Sequence, residues 1–194
     1  MTILVPPSGN VKAHAFRLQP GDSIKENLCD IAQIVFARTP PEECSSLFVM
    51  TAVGSLKDAT LRLANASKSK EDIKSSKNEV KRWENQRFEI VSLVGTFSKD
   101  GSCHLHMSIS DDEGNTFGGH LMAGTVFTTC EVVLGSIHGV NFQRQFDERT
   151  GYKELLPQQI LLEEKWFKGS SIIKAGMLMM LGYSLHHISL PRRS

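Results

Sequence analysis

The sequence contains no C-x-x-C pair, no H-E-x-x-H, no phosphate-cradling glycine loop, and no serine or cysteine paired with a base. Those gaps remove the usual signatures of zinc proteases, P-loop nucleotide hydrolases and nucleophilic hydrolases. A charge excess is missing too: 22 Lys and Arg stand against 21 Asp and Glu, for a formal charge of +1. Proteins that hold nucleic acid by bulk electrostatics need a basic face or tail, and this balance argues against one. The four cysteines, Cys29, Cys44, Cys103 and Cys130, are scattered. That fits reduced, mostly buried thiols of a cytoplasmic protein, with the nucleus as the alternative, rather than a disulfide framework. Met1 to Pro7 has a short apolar patch without a basic flank, so no signal peptide is expected. The longest apolar stretch, Ile172 to Leu190, is interrupted by Lys174, Gly176, Gly182, His186 and His187. A spanning helix needs about 20 predominantly apolar residues, so a docked helix or loosely held tail is expected instead of an anchor.

What is present suits one domain. At 194 residues with 40% hydrophobic content the chain can build a core of its own. Val11–Leu18 reads as a strand stopped by Pro20-Gly21. Asp22 or Ser23 can cap the helix that follows, with Glu26 placed for a capping box on Ser23. Ile24, Leu28, Ile31 and Val35 give that helix an apolar stripe, and Thr39-Pro40-Pro41 ends it. Leu47–Val53 and Ala59–Ala64 read as two short strands separated by a turn at Gly54-Ser55. Ser67–Gln86 mixes both signs of charge with few apolar residues, which predicts a solvated loop. Strands are then expected from Phe88 to Phe97, Cys103 to Ser110 and Thr116 to Met122. Thr125–Leu134 should follow as a strand buried on both faces, and Phe142–Phe146 as a last short one. Many strands and one clear helix predict an α+β fold: a mostly antiparallel or mixed β-sheet with the helix packed on it.

Chemistry concentrates in one hairpin. His104 and His106 are two residues apart in a strand, so their side chains leave the same face. The turn Asp112-Glu113-Gly114 suits a three-residue loop with Gly114 in the left-handed position. That loop pairs Asp111 with Asn115 and, counting back, His106 with His120. Opposed residues share a face, and a one-residue slip would remove His120 from it. Three neutral imidazoles with a vacant fourth position suit a divalent metal, zinc first among the first-row ions. His14, His138, His186 and His187 have no such arrangement. Glu131 stands in the long apolar strand, where a carboxylate needs a partner; it could accept a hydrogen bond from one imidazole or serve structure alone.

The run Ala15-Phe16-Arg17-Leu18-Gln19-Pro20-Gly21-Asp22 resembles the opening of the PPC domain, the "plants and prokaryotes conserved" domain. Thr51-Ala52-Val53-Gly54-Ser55-Leu56, Arg87-Phe88-Glu89-Ile90-Val91, Gly118-Gly119-His120-Leu121 and Thr150-Gly151-Tyr152 resemble it in the same order, over about residues 12–156. The resemblance implies a compact α+β domain that assembles as a homotrimer. It also implies a stand-alone prokaryote-like form, in which His104, His106 and His120 match positions where a metal can bind. Plant relatives carry the domain behind AT-hooks in nuclear DNA-binding proteins. No Arg-Gly-Arg-Pro core occurs here, so direct DNA binding is not the expectation. Residues 157–194 do not resemble the family and read as a partly apolar C-terminal extension to a domain over 1–156.

Two functional readings follow. In the first, the chain is a trimeric metal-binding domain, with zinc the expected ion and no residue assigned to catalysis. A bound ion could activate water for a hydrolytic or lyase-like reaction, with Glu131 or the Asp111-Asp112-Glu113 turn as a carboxylate source. In the second, it is a non-catalytic DNA-associated or protein-interaction module like the plant relatives.

Overall fold

The computed structural model of the chain describes residues 6–40, 43, 46–64 and 79–160. Its elements run β1 (Val11–Leu18), α1 (Ile24–Arg38), β2 (Ser46–Arg62), β3 (Val80–Trp83), β4 (Phe88–Ser98), β5 (Cys103–Ser110), β6 (Thr116–Ile137), β7 (Val140–Asp147) and β8 (Tyr152–Gln159). Six strands form one sheet in the order β1-β6-β5-β4-β2-β3, and β7 and β8 form a separate hairpin. Every described pairing is antiparallel, so the described residues form a mostly antiparallel sheet with one helix and show no mixed pairing.

β2 also pairs with β6, so the circuit β2-β4-β5-β6 closes on itself. Closure needs strong curvature, and β2 supplies it at four register shifts along β6. Bulges increase local twist and bend the strand that carries them.

α1 forms because apolar residues recur every fourth position, and Ile24, Leu28, Ala32 and Phe36 are its buried stripe. Ile31 and Val35 flank that stripe, partly buried. Ser23 is the N-cap, but its side chain makes no capping hydrogen bond; Glu26 only places a negative charge in the first turn. Asp22 instead accepts the Gln19 backbone N–H at 2.7 Å. Thr39 ends the helix ahead of Pro40, which disfavours helical backbone in the residue before it. The stripe packs into a core with Leu47, Leu56, Phe97, Leu105, Ile109 and Leu134.

The structure departs from four sequence expectations. Gly54-Ser55 is not a turn, because β2 runs unbroken through it; likewise β6 is one strand of 22 residues, not two. Thr125–Leu134 is not buried on both faces: Val126, Cys130, Val132 and Leu134 are buried while Thr128 and Glu131 are exposed. The stretch Ser67–Gln86 is not wholly a solvated loop, since β3 pairs with β2 and buries Trp83; residues 67–78 lie outside the described residues. Trp83 packs against Phe88 and Phe117 at 5.8 and 5.2 Å between ring centroids, with the Lys81 ammonium 4.9 Å from its ring. We expect Trp83→Ala to cost about 3–5 kcal/mol, the usual range for emptying a buried aromatic site, measured by urea unfolding. A loss under about 1 kcal/mol would mean that β3 docks without this anchor.

Cys29 on α1 and Cys103 on β5 place their sulfurs 3.4 Å apart as free thiols, and Cys130 is buried; Cys44 lies outside the described residues. No described helix is long and apolar enough to cross a membrane. The apolar stretch at 172–190 is outside the described residues, as is most of the expected C-terminal extension.

Candidate metal centre

Strand alternation builds the centre. In β5, Leu105, Met107 and Ile109 enter the core, which turns His104 and His106 to the opposite face, where both are exposed. The turn between β5 and β6 takes the form its residues require. Gly114 has φ +83°, Asp111 N–H donates to the Asn115 carbonyl at 3.0 Å, and Gly114 N–H donates to the Asp111 carbonyl at 3.1 Å. The Asp111 carboxylate accepts the backbone N–H groups of Glu113 and Asn115, so it is engaged in holding the loop. His106 is therefore paired with His120, the register the loop implies, with no slip at Gly118 or Gly119. On its other side His120 is paired with Arg62 of β2, which leaves it half-buried.

The three rings converge, with centroid separations of 4.9, 5.2 and 5.4 Å. One ring nitrogen from each lies within 4.8 Å of the others. His104 Nε2 and His106 Nε2 are 3.0 Å apart. Two nitrogens bound tetrahedrally at the usual 2.0–2.1 Å would stand about 3.4 Å apart, so modest side-chain adjustment fits them to one ion. His120 Nδ1 is buried without a hydrogen-bond partner among the described residues, a cost that a ligand or water would relieve. Desolvation, then Arg62 and the two neighbouring imidazoles, push the His120 pKa down to about 4; desolvation, His106 and Arg144 lower that of His104. Both rings are held neutral at pH 7, the form that coordinates a cation. By donor type and spacing, the three residues suit a divalent metal.

Glu131 does not join them. It lies eleven residues further along β6, about 35 Å of extended strand from His120. There it is exposed and paired with Arg17 and Val53. Strand composition could not reveal this, because Glu131 points away from the core that its apolar neighbours enter. Sequence reasoning also missed three residues beside the histidines. Thr96 of β4 is paired with His104, and its hydroxyl accepts a hydrogen bond from Arg144 Nη2 at 2.8 Å. Arg144, on β7, and Glu154, on β8, share a cleft of about 330 Å³ with His104 and His106. The only sequence signal for Arg144 was the strand-like run at Phe142–Phe146, which carries no hint of where the hairpin folds, and Glu154 lies outside that run.

Residues 6–138 match the family model of the Plants and Prokaryotes Conserved domain. Over 150 residues the chain is 40% identical to the bifunctional protein GlmU of Synechococcus sp. (strain JA-3-3Ab), covering 77% of this chain and 21% of that protein. The chain thus spans about a fifth of the length of this curated relative. A solved protein from Salmonella enterica is 28% identical with a TM-score of 0.67, covering 81% of this chain and 100% of that one. A metal-containing protein from Archaeoglobus fulgidus is 26% identical with a TM-score of 0.58, covering 80% and 99% respectively.

Proposed function

The chain belongs to the Plants and Prokaryotes Conserved domain family, and from that premise we propose that it is a trimeric metal-binding domain whose ion, zinc first among candidates, is held by His104, His106 and His120. The observation that carries this is the convergence of three ring nitrogens within 4.8 Å on one sheet face. The metal-containing relative supports it. When bound, such an ion supplies Lewis acidity at its open coordination position. The chain's own contribution is to keep the His104 and His120 imidazoles neutral, hold the triad's register with the Asp111–Asn115 loop, and place the cationic Arg144 alongside.

Assembly as a trimer rests on the family resemblance and on apolar side chains left outside the core. Met50, Val53, Val91 and Val94 are 50–57% exposed. Val94 is paired with His106, so a neighbouring copy covering it would approach the centre. Large exposed apolar patches commonly mark an interface.

Metal analysis of tag-free protein, combined with light scattering, tests both parts. The expected result is about one zinc per chain at three times the chain mass. Less than about a third of an equivalent after zinc exposure would overturn the metal reading. A stable monomer would overturn the trimer.

A further inference from the structure

We propose that the cleft beside the three histidines is a binding site for a small monocarboxylate, with Arg144 as its anchor. The inference rests on the metal reading of the neighbouring centre for its full affinity, but its own residues are separate. Arg144 comes from the β7–β8 hairpin, beyond the residues that the family model covers.

Arginine presents five N–H donors and a permanent positive charge. Here its Nη2 donates to Thr96 Oγ1 at 2.8 Å and its Nη1 reaches the Lys153 carbonyl at 3.5 Å. Both acceptors are neutral. Its Nε is buried with no hydrogen-bond partner among the described residues. Leaving a charged group's donor buried and unmet is costly, and a small shift of the guanidinium toward an anion in the cleft would meet it. The Thr96 contact also fixes the guanidinium, so less side-chain freedom is lost when a ligand arrives.

The surroundings narrow the anion. A planar carboxylate matches the guanidinium fork in two parallel hydrogen bonds. Glu154 lies in the same cleft, and its negative charge opposes a dianion more strongly than a monoanion. Val94 and Leu155 supply apolar wall for a short hydrocarbon chain. With a cation held by His104 and His106 on one side and Arg144 on the other, a single carboxylate is drawn by both positive groups.

The test is calorimetric titration of propionate and, separately, methylphosphonate into zinc-loaded and zinc-free protein, with zinc content read on the same samples. Zinc-loaded wild type should bind propionate in the millimolar range or tighter, and more tightly than methylphosphonate. Arg144→Gln should weaken propionate by at least about ten-fold, the scale of one charge-assisted pair, with zinc content unchanged. Arg144→Lys, which keeps the charge but loses the fork, should also weaken it. Undiminished binding by both variants overturns the assignment of Arg144, and tighter methylphosphonate binding overturns the carboxylate. Protein that loads zinc yet ignores propionate to about 20 mM overturns the subsite and leaves the metal reading standing. Protein that takes up no zinc overturns the metal reading; the subsite then stands only on Arg144-dependent propionate binding, and falls without it.

Discussion

His106→Ala is expected to remove stoichiometric zinc and the thermal stabilisation that comes with it. His106 is the central member of the triad: its ring neighbours His104 at 3.0 Å between Nε2 atoms, and its backbone is paired with His120. Altering a group that merely orients a metal ligand typically weakens binding by 10–100-fold, so deleting a ligand should weaken it by at least about 100-fold. A ligand present at about 100 times its dissociation constant stabilises the native state by about 2.7 kcal/mol. For a chain of this length that corresponds to about 5–10 °C in Tm. Calorimetric scans of wild type with and without zinc should therefore separate by that margin, while scans of His106→Ala coincide. The substitution itself should cost little, because His106 is exposed and outside the core. A variant that keeps both its zinc and its shift would place the ion elsewhere. A variant that loses more than about 2 kcal/mol in the absence of metal would mean that the imidazole serves packing.

Gly95→Ala should destabilise the fold more than any surface change and disturb the metal centre with it. Gly95 lies in β4 opposite Leu105, with φ +148°, a conformation that side chains oppose. A Cβ there would stand 2.0 Å from the His104 carbonyl oxygen and 2.9 Å from Leu105 Cα. Both obstacles are backbone, so β5 itself must move, and His104 moves with it. Backbone strain and overpacking each cost about 1–3 kcal/mol, for a combined loss above about 3 kcal/mol. Gly101→Ala is the control. It also has positive φ, +85°, but nothing lies within 4 Å of the added Cβ. Urea unfolding should give that variant a loss of only about 1–2 kcal/mol. Similar losses at the two positions would show that close approach of β4 to β5 is not what requires glycine.

Another glycine of this kind, Gly54, marks a limit of the sequence. Glycine between two apolar runs usually marks a turn, and the sequence predicts one at Gly54 on that ground. In the fold its φ is +152° and an added Cβ would lie 2.1 Å from the Thr129 carbonyl, so Gly54 lets β6 approach mid-strand. Both roles draw on the absence of a side chain, and only the partner strand tells them apart. Trp83 was misplaced for a similar reason: its charged neighbours are exposed, while its ring is buried by Phe88 and Phe117 from other strands. Glu131 stood out because a carboxylate among apolar residues demands a partner only if it faces inward, and this one faces out.

By itself the sequence determined what short-range rules can settle. β1 and β5 fall at Val11–Leu18 and Cys103–Ser110, as their composition indicates. α1 follows from its apolar period. The three-residue loop ending in Gly114 sets the His106–His120 register, since turn geometry and strand parity are local constraints. Only the tertiary structure decided the closed β2-β4-β5-β6 circuit, the continuity of β2 and β6 through their glycines, and the placement of Arg144 on Thr96 beside the histidines. Those features depend on which distant strands meet, and a residue's neighbours along the chain carry no record of that. The histidine cluster was legible because one hairpin builds it; its surroundings were not, because β2, β4, β7 and β8 complete them.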